Sequence, residues 1–191
     1  MHLFSMLPYV YTPLSLASTL CNVWLKCGRK VAYTSMTRIK GYDSSQPGYY
    51  CNTICVSYHR LCFGSVVDGQ MNLNAPGRIA ESVWNSLPDR FPHVRLDAFV
   101  CMPNHVHGIF ELTEIDEEQT KPRVPSWEII RTFKGAATRL IRISPSKPWF
   151  AWQPSTFESI LYNERRLNRA RQYIYDNPAR WTKDPFYRPD R

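Results

Sequence analysis

The chain carries no Cys-x-x-Cys pair, no hydrophobic run long enough to cross a membrane, no internal repeat and no low-complexity tract. The missing cysteine spacing excludes a zinc finger and a redox dithiol. Cys21, Cys27, Cys51, Cys55, Cys62 and Cys101 read instead as reduced thiols, which suits a cytoplasmic protein. The apolar stretch from Leu7 to Leu20 is broken by Pro8 and Pro13 and falls short of the roughly 20 residues a membrane helix needs. Only His2 precedes it as a possible cation, so the basic start of a signal peptide is missing too. Acidic residues are the scarcer charge, 16 against 24 Lys and Arg, for a formal net charge of +8. That excess favours a polyanionic partner, nucleic acid before a membrane surface.

The 191 residues, 43% hydrophobic and 14% aromatic, suit one folded domain. Residues 1–36 differ from the rest and read as an N-terminal extension, with Met36 opening the domain proper. The domain is expected over 37–182, with a basic tail at 183–191. Tyr49 to His59, rich in Tyr, Thr, Ile and Val, reads as a strand. Val66 to Leu73 reads as a hairpin turning at Asp68-Gly69. Asn74 caps a helix from about Ala75 to Leu87. Val94 to Met102 and His105 to Leu112 are strands separated by Pro103-Asn104. An acidic loop, Glu114 to Glu118, follows. Ser126 caps a helix with Trp127, Ile130, Phe133, Ala137, Leu140 and Ile141 at helical spacing. Ser144 to Pro148 breaks it, Phe150 to Trp152 is expected as a short edge strand, and a last helix covers about Glu158 to Asp176. This order predicts an α+β fold, an antiparallel sheet with helices on its faces, of ferredoxin-like type.

The motif with the most chemistry is His105-Val106-His107. A strand turns alternate side chains to opposite faces, so the two imidazoles share a face and together can hold a divalent metal ion. Solvated surface histidines are the ordinary alternative. The last helix ends Tyr173-Ile174-Tyr175-Asp176-Asn177-Pro178. Tyr173 and Asn177 are four apart and stack on one helix face. A tyrosine hydroxyl can attack a phosphodiester, and an amide oxygen can ligate a hard cation. Tyr175 is the other hydroxyl available, but it lies about 160° around the helix from Asn177. Both tyrosines can equally be packing residues.

Met102-Pro103-Asn104-His105-Val106-His107 resembles the motif of the single-tyrosine HUH transposases, in particular their REP-associated tyrosine transposase (IS200-like) branch. Gly41-Tyr42-Asp43, Pro47-Gly48-Tyr49-Tyr50, Ile130 to Lys134, Trp152-Gln153, Asn163-Glu164 and Tyr173 to Pro178 resemble the family in order and spacing. The resemblance spans about residues 37–182. It implies an HUH fold with a catalytic C-terminal helix. His105, His107 and Asn177 would be ligands of Mg2+ or Mn2+, and Tyr173 the nucleophile. The implied activity is cleavage and rejoining of single-stranded or hairpin DNA through a 5′-phosphotyrosine. One departure stands out: Ser159 occupies a position where many relatives have histidine.

Arg131, Lys134, Arg139, Arg165, Arg166 and Arg169 are the candidate phosphate contacts. Trp127, Trp149 and Trp152 are expected in the core. His59 and His93 receive no role. Monomer and homodimer are both open. The rival readings are a hairpin-binding protein of the same fold without turnover, and a metal hydrolase using water. The second ranks lower because no general-base carboxylate is evident on the histidine strand.

Overall fold

The computed structural model describes residues 42–114, 123–143 and 149–189. The expectations for residues 1–36, for most of the acidic loop and for Ser144 to Pro148 lie outside the described residues.

Four antiparallel strands form the main sheet: β1 (Gly48–Cys55), β4 (Val94–Met102), β5 (His105–Leu112) and β6 (Phe157–Leu161), in the order β4-β5-β1-β6. A separate hairpin, β2 (Gly64–Val67) and β3 (Gln70–Leu73), turns at Asp68-Gly69. Both turn residues have positive φ, 52° and 73°, the pairing a two-residue turn of this hand requires. The helices are α1 (Ala75–Asn85), the single turn α2 (Leu87–Arg90), α3 (Ser126–Ile143) and α4 (Glu164–Asp176), and a 3-10 segment spans Pro178–Lys183. The α+β expectation therefore holds.

Strand β5 is buried at seven of its eight positions, which marks a central strand covered on both faces. Its two faces serve different ends. Val106 and Phe110 join Tyr50, Ile54, Trp84, Ile129, Ile130 and Phe133 in the core under α1 and α3. His105 and His107 point the other way, toward α4. Gly108 keeps the core side flat: a Cβ there would lie 2.3 Å from the buried Trp84 ring.

Four local expectations change. The strand expected to His59 stops at Cys55, and Ser57–His59 form a 3-10 turn. The residues from Phe157 to Leu161 form edge strand β6, paired with β1 from Thr53↔Phe157 to Tyr49↔Leu161, so α4 starts only at Glu164. A short mixed stretch, Phe-Glu-Ser-Ile-Leu, fits either structure locally, and the free edge of β1 decides in favour of the ladder. Asn163 then caps α4, its Oδ1 accepting from Arg166 N at 3.0 Å. The expected edge strand at Phe150 to Trp152 reduces to one bridge, Val56↔Trp152. Ser126 heads α3 as expected, but its buried hydroxyl makes no hydrogen bond and so caps nothing. Asn74 does cap α1, accepting from Gly77 N at 3.0 Å.

Of the three tryptophans expected in the core, Trp152 is buried, whereas Trp127 and Trp149 are 37% and 39% exposed. Cys51, Cys55, Cys62 and Cys101 are free and buried. Burial pushes the Cys51 thiol up to about 12.

Candidate metal centre and tyrosine helix

Strand alternation brings His105 and His107 side by side, both fully buried, with their Nε2 atoms 3.0 Å apart. Each Nδ1 has its own partner. Asn104 Oδ1 lies 2.8 Å from His105 Nδ1, and Thr53 Oγ1 lies 2.8 Å from His107 Nδ1. The Asn104 amide is oriented by its other end, which donates to the carbonyls of His59 and Phe186. Its oxygen therefore faces His105 and places the proton on Nδ1, leaving Nε2 with its lone pair. Burial holds both imidazoles neutral, His105 well below its ordinary range and His107 down to about 3. Neutral imidazole is the form that binds a metal.

Helix α4 packs over this face. It brings Tyr173 with its ring edge-on to His107, the centroids 5.3 Å apart. Asn177, at the helix C-cap, is 2% exposed. The chain then turns through Pro178–Lys183 and inserts Asp184, a residue that the sequence reading left in a basic tail. Its Oδ2 accepts from Tyr173 Oη at 3.3 Å and Asn177 Nδ2 at 3.1 Å, and lies 4.0 Å from His105 Nε2. Its Oδ1 accepts from Phe186 N at 2.6 Å. Burial, the largest influence, raises the Asp184 carboxyl above its usual range, against the pull of these donors. Phe186 completes the wall, its ring 4.8 Å from that of His105 and 5.5 Å from that of His59.

This donor set fits a divalent cation. One ligand atom each from His105, His107 and Asp184 lie within 4.8 Å of one another. The 3.0 Å between the two Nε2 atoms equals the edge of an octahedron with bonds of about 2.1 Å. With Asn177 Nδ2 committed to Asp184, its Oδ1 is left as a buried atom with no hydrogen bond. That is a cost a protein ordinarily avoids and one a cation would remove.

The structure thus gathers His105, His107, Tyr173 and Asn177. Tyr175 is exposed and Tyr173 half-buried, which separates the two hydroxyls that spacing left open. The six basic candidates divide. Arg165, Arg166 and Arg169 lie on α4 beside the tyrosine, Arg166 over the ring of Tyr162 at 4.2 Å. Arg131, Lys134 and Arg139 lie on α3, across the sheet from the histidines. Ser159 pairs with Cys51, two ladder positions along β1 from Thr53. His59, without a role in the sequence reading, stacks on Phe186 in the site wall, and His93 lies near Val124 O at 3.3 Å.

Three site residues escaped the sequence reading: Asp184, Asn104 and Thr53. Asn104 stands inside the motif, where local sequence marks it only as part of a turn. Asp184 sits eleven residues beyond Tyr173 and needs the 3-10 segment to bring it back. A fourth contact sets the helix itself. Arg171 Nε donates to Asp97 Oδ1 at 2.8 Å and its Nη2 pairs with Oδ2. Asp97 lies where the β4–β5 register breaks, between Leu96 and Phe99, and such a bulge can re-aim a side chain toward a helix above the sheet.

No family profile matches the chain. An uncharacterised protein of Haemophilus influenzae is 32% identical over 166 residues, 78% of this chain and 91% of that one. Among solved structures, a REP-associated tyrosine transposase bound to a REP hairpin superposes with TM-score 0.51 at 18% identity, covering 82% of this chain and 76% of the other. No described helix is long and apolar enough to cross a membrane. This chain belongs to one family with the Haemophilus influenzae protein, and its α+β sheet with the paired histidines has the HUH fold of the REP-associated tyrosine transposase.

Proposed function

We propose that this protein is a metal-dependent transposase acting on single-stranded DNA, cleaving and rejoining it through a phosphotyrosine at Tyr173, at hairpin sequences. The observation that carries this reading is the contact of one tyrosine hydroxyl with a carboxylate that itself borders two neutral, paired histidines. A structural relative was solved bound to a REP hairpin, and the net charge of +8 suits such a ligand.

His105, His107, Asp184 and Asn177 would hold the metal, Mg2+ or Mn2+. When bound, the metal supplies a positive charge that polarises the scissile phosphate. The chain's own residues do the rest. Helix α4, held by Arg171, presents the Tyr173 oxygen at the site. Asp184 accepts the hydrogen bond of that hydroxyl and is placed to take its proton. The tyrosine oxygen then bonds to phosphorus while the bond from phosphorus to the 3′ oxygen breaks. That oxygen takes up a proton, matching the one Asp184 accepted, and leaves as a 3′-hydroxyl, while the 5′-phosphate stays on Tyr173. Attack by a 3′-hydroxyl reverses the step and rejoins the strand. Arg165, Arg166 and Arg169, on the same helix, would hold the adjoining backbone.

Asp184 also strengthens a second reading, in which a water is the nucleophile. The histidine strand itself carries no general-base carboxylate, and Asp184 supplies one from outside it. One experiment separates the two. The protein is incubated with labelled hairpin DNA bearing single-stranded flanks and Mn2+, then resolved on a denaturing gel. A covalent adduct abolished by Tyr173→Phe and by chelator is expected. Cleavage without adduct that survives Tyr173→Phe would establish the hydrolase. DNA binding with neither product would leave a binding protein.

A further inference from the structure

A second polar site lies on the opposite face of the sheet, between β1, β6 and α3. Asn52 is fully buried on β1, and neither its Nδ2 nor its Oδ1 has a hydrogen-bond partner. Asn52 lines a cavity of about 230 Å³ shared with Trp127, Arg131, Lys134, Thr156 and Glu158. A buried amide with both ends unmatched is uncommon and destabilising. Here it sits at a cavity with an aromatic ring and two cationic side chains in its wall. Glu158 is the ladder partner of Asn52 and shares its face. Lys134 is held in the wall by its Nζ, which donates to Gln153 O at 2.6 Å and Pro154 O at 3.1 Å.

We infer that this cavity is a recognition pocket for one unpaired adenine of the DNA strand, read by the Asn52 amide. A carboxamide offers a donor and an acceptor side by side, which matches the ring nitrogen and amino group of adenine. Glu158 accepts the second amino hydrogen. Thymine and guanine would turn a carbonyl oxygen toward that carboxylate and are disfavoured; cytosine offers the same ring nitrogen and amino group, and adenine is favoured over it by the larger ring it lays on Trp127. Trp127, partly exposed, gives the base a face to stack on. Arg131, ion-paired with Glu128, and Lys134, bound to the two carbonyls, set positive charge beside the path of the flanking phosphates. The cavity is smaller than the roughly 300–1,000 Å³ of pockets that enclose larger ligands, so it takes a base and leaves the rest of the strand outside. It also gives Arg131 and Lys134 a role away from the histidines. The inference rests on the DNA-binding reading above and goes beyond it.

The test measures binding of the full-length protein to labelled dA10, dT10 and dC10 at one salt concentration, with AMP as a competitor. Wild type is compared with Asn52→Leu, and both are melted. dA10 should bind about 10-fold or more tighter than dT10, and Asn52→Leu should erase that ratio while changing dT10 affinity less than about 2-fold. Asn52→Leu should also melt at or above the wild-type temperature, because an unmatched amide is replaced by an apolar group of similar shape. If dT10 and dA10 bind equally, or the preference survives Asn52→Leu, the pocket inference fails and the DNA reading stands. If dC10 matches dA10, the assignment to adenine is wrong. If no oligonucleotide binds, the DNA reading fails and takes the inference with it. AMP bound without dA10 would make the ligand a free nucleotide and overturn the assignment to DNA.

Discussion

Replacing Asp184 by Asn keeps the shape of the side chain and removes its charge, so it isolates what the carboxylate contributes. Three ligand atoms, from His105, His107 and Asp184, lie within 4.8 Å of one another, and only the third is anionic. Even groups that merely support a ligand change metal affinity about 10- to 100-fold when altered, so about 100-fold is a conservative loss for a direct one. Stabilisation by a ligand is RT ln(1 + [L]/Kd). With Mn2+ at about 100 times the wild-type Kd it is about 2.7 kcal/mol. The same concentration would equal the Kd of Asp184→Asn and give about 0.4 kcal/mol. At about 2–4 °C per kcal/mol for a chain of this size, Mn2+ should raise the wild-type Tm by about 5–11 °C and that of the variant by about 1 °C. In chelator, the two should melt close together, because the relief of burying the Asp184 charge is offset by the loss of an acceptor for Tyr173, Asn177 or Phe186. The assay is a thermal melt with and without Mn2+, supported by calorimetric titration. An undiminished Mn2+ shift in Asp184→Asn would show that the carboxylate is not a ligand and would leave it only its contacts to Tyr173, Asn177 and Phe186.

Three other outcomes follow from the same geometry. Gly108→Ala forces a methyl group to within 2.3 Å of Trp84 behind the histidine strand; a loss of about 1–3 kcal/mol is expected in denaturant unfolding, and an unchanged midpoint would refute the close contact. Arg171→Met removes the two-point hold on Asp97 and should cost about 1.5–3 kcal/mol; metal binding, anchored by His105 and His107 on β5, should weaken less than adduct formation on hairpin DNA slows, and an equal loss of both would argue against a role confined to positioning the tyrosine. In chelator, the apo protein should lose stability as pH falls from about 6.5 toward 3, because the unfolded chain protonates at His105 and His107 while the folded one resists. The slope is about 1.4 kcal/mol per pH unit for each histidine, partly opposed at the acid end by Asp184, whose raised pKa makes the folded state take up its proton first. A flat profile across that window would mean that the imidazoles are wetter than the structure places them.

Periodicity made part of this site legible. Strand alternation alone puts His105 and His107 on one face, and helical spacing alone puts Tyr173 above Asn177. The same local rules failed at Phe157 to Leu161, a mixed apolar and polar stretch most of which local spacing assigns to the following helix. Its true partner, the open edge of β1, lies about a hundred residues back in sequence, and no window along the chain contains that edge. Ser126 is a parallel case: the residue type predicts a cap, but burial left its hydroxyl unmatched.

What the sequence determined by itself is the chemistry on offer: two imidazoles in fixed alternation, a tyrosine and an amide on one helical face, and an excess of cations. These follow from backbone periods and covalent identity, which need no tertiary partner. What only the tertiary structure decided is the environment that gives those groups their properties. Burial makes the imidazoles neutral, Asn104 assigns the His105 proton, Arg171 on Asp97 seats the tyrosine helix, and the turn after Pro178 returns Asp184 to the pair. Each depends on residues distant in sequence meeting in space, and desolvation and hydrogen-bond geometry exist only once they have met.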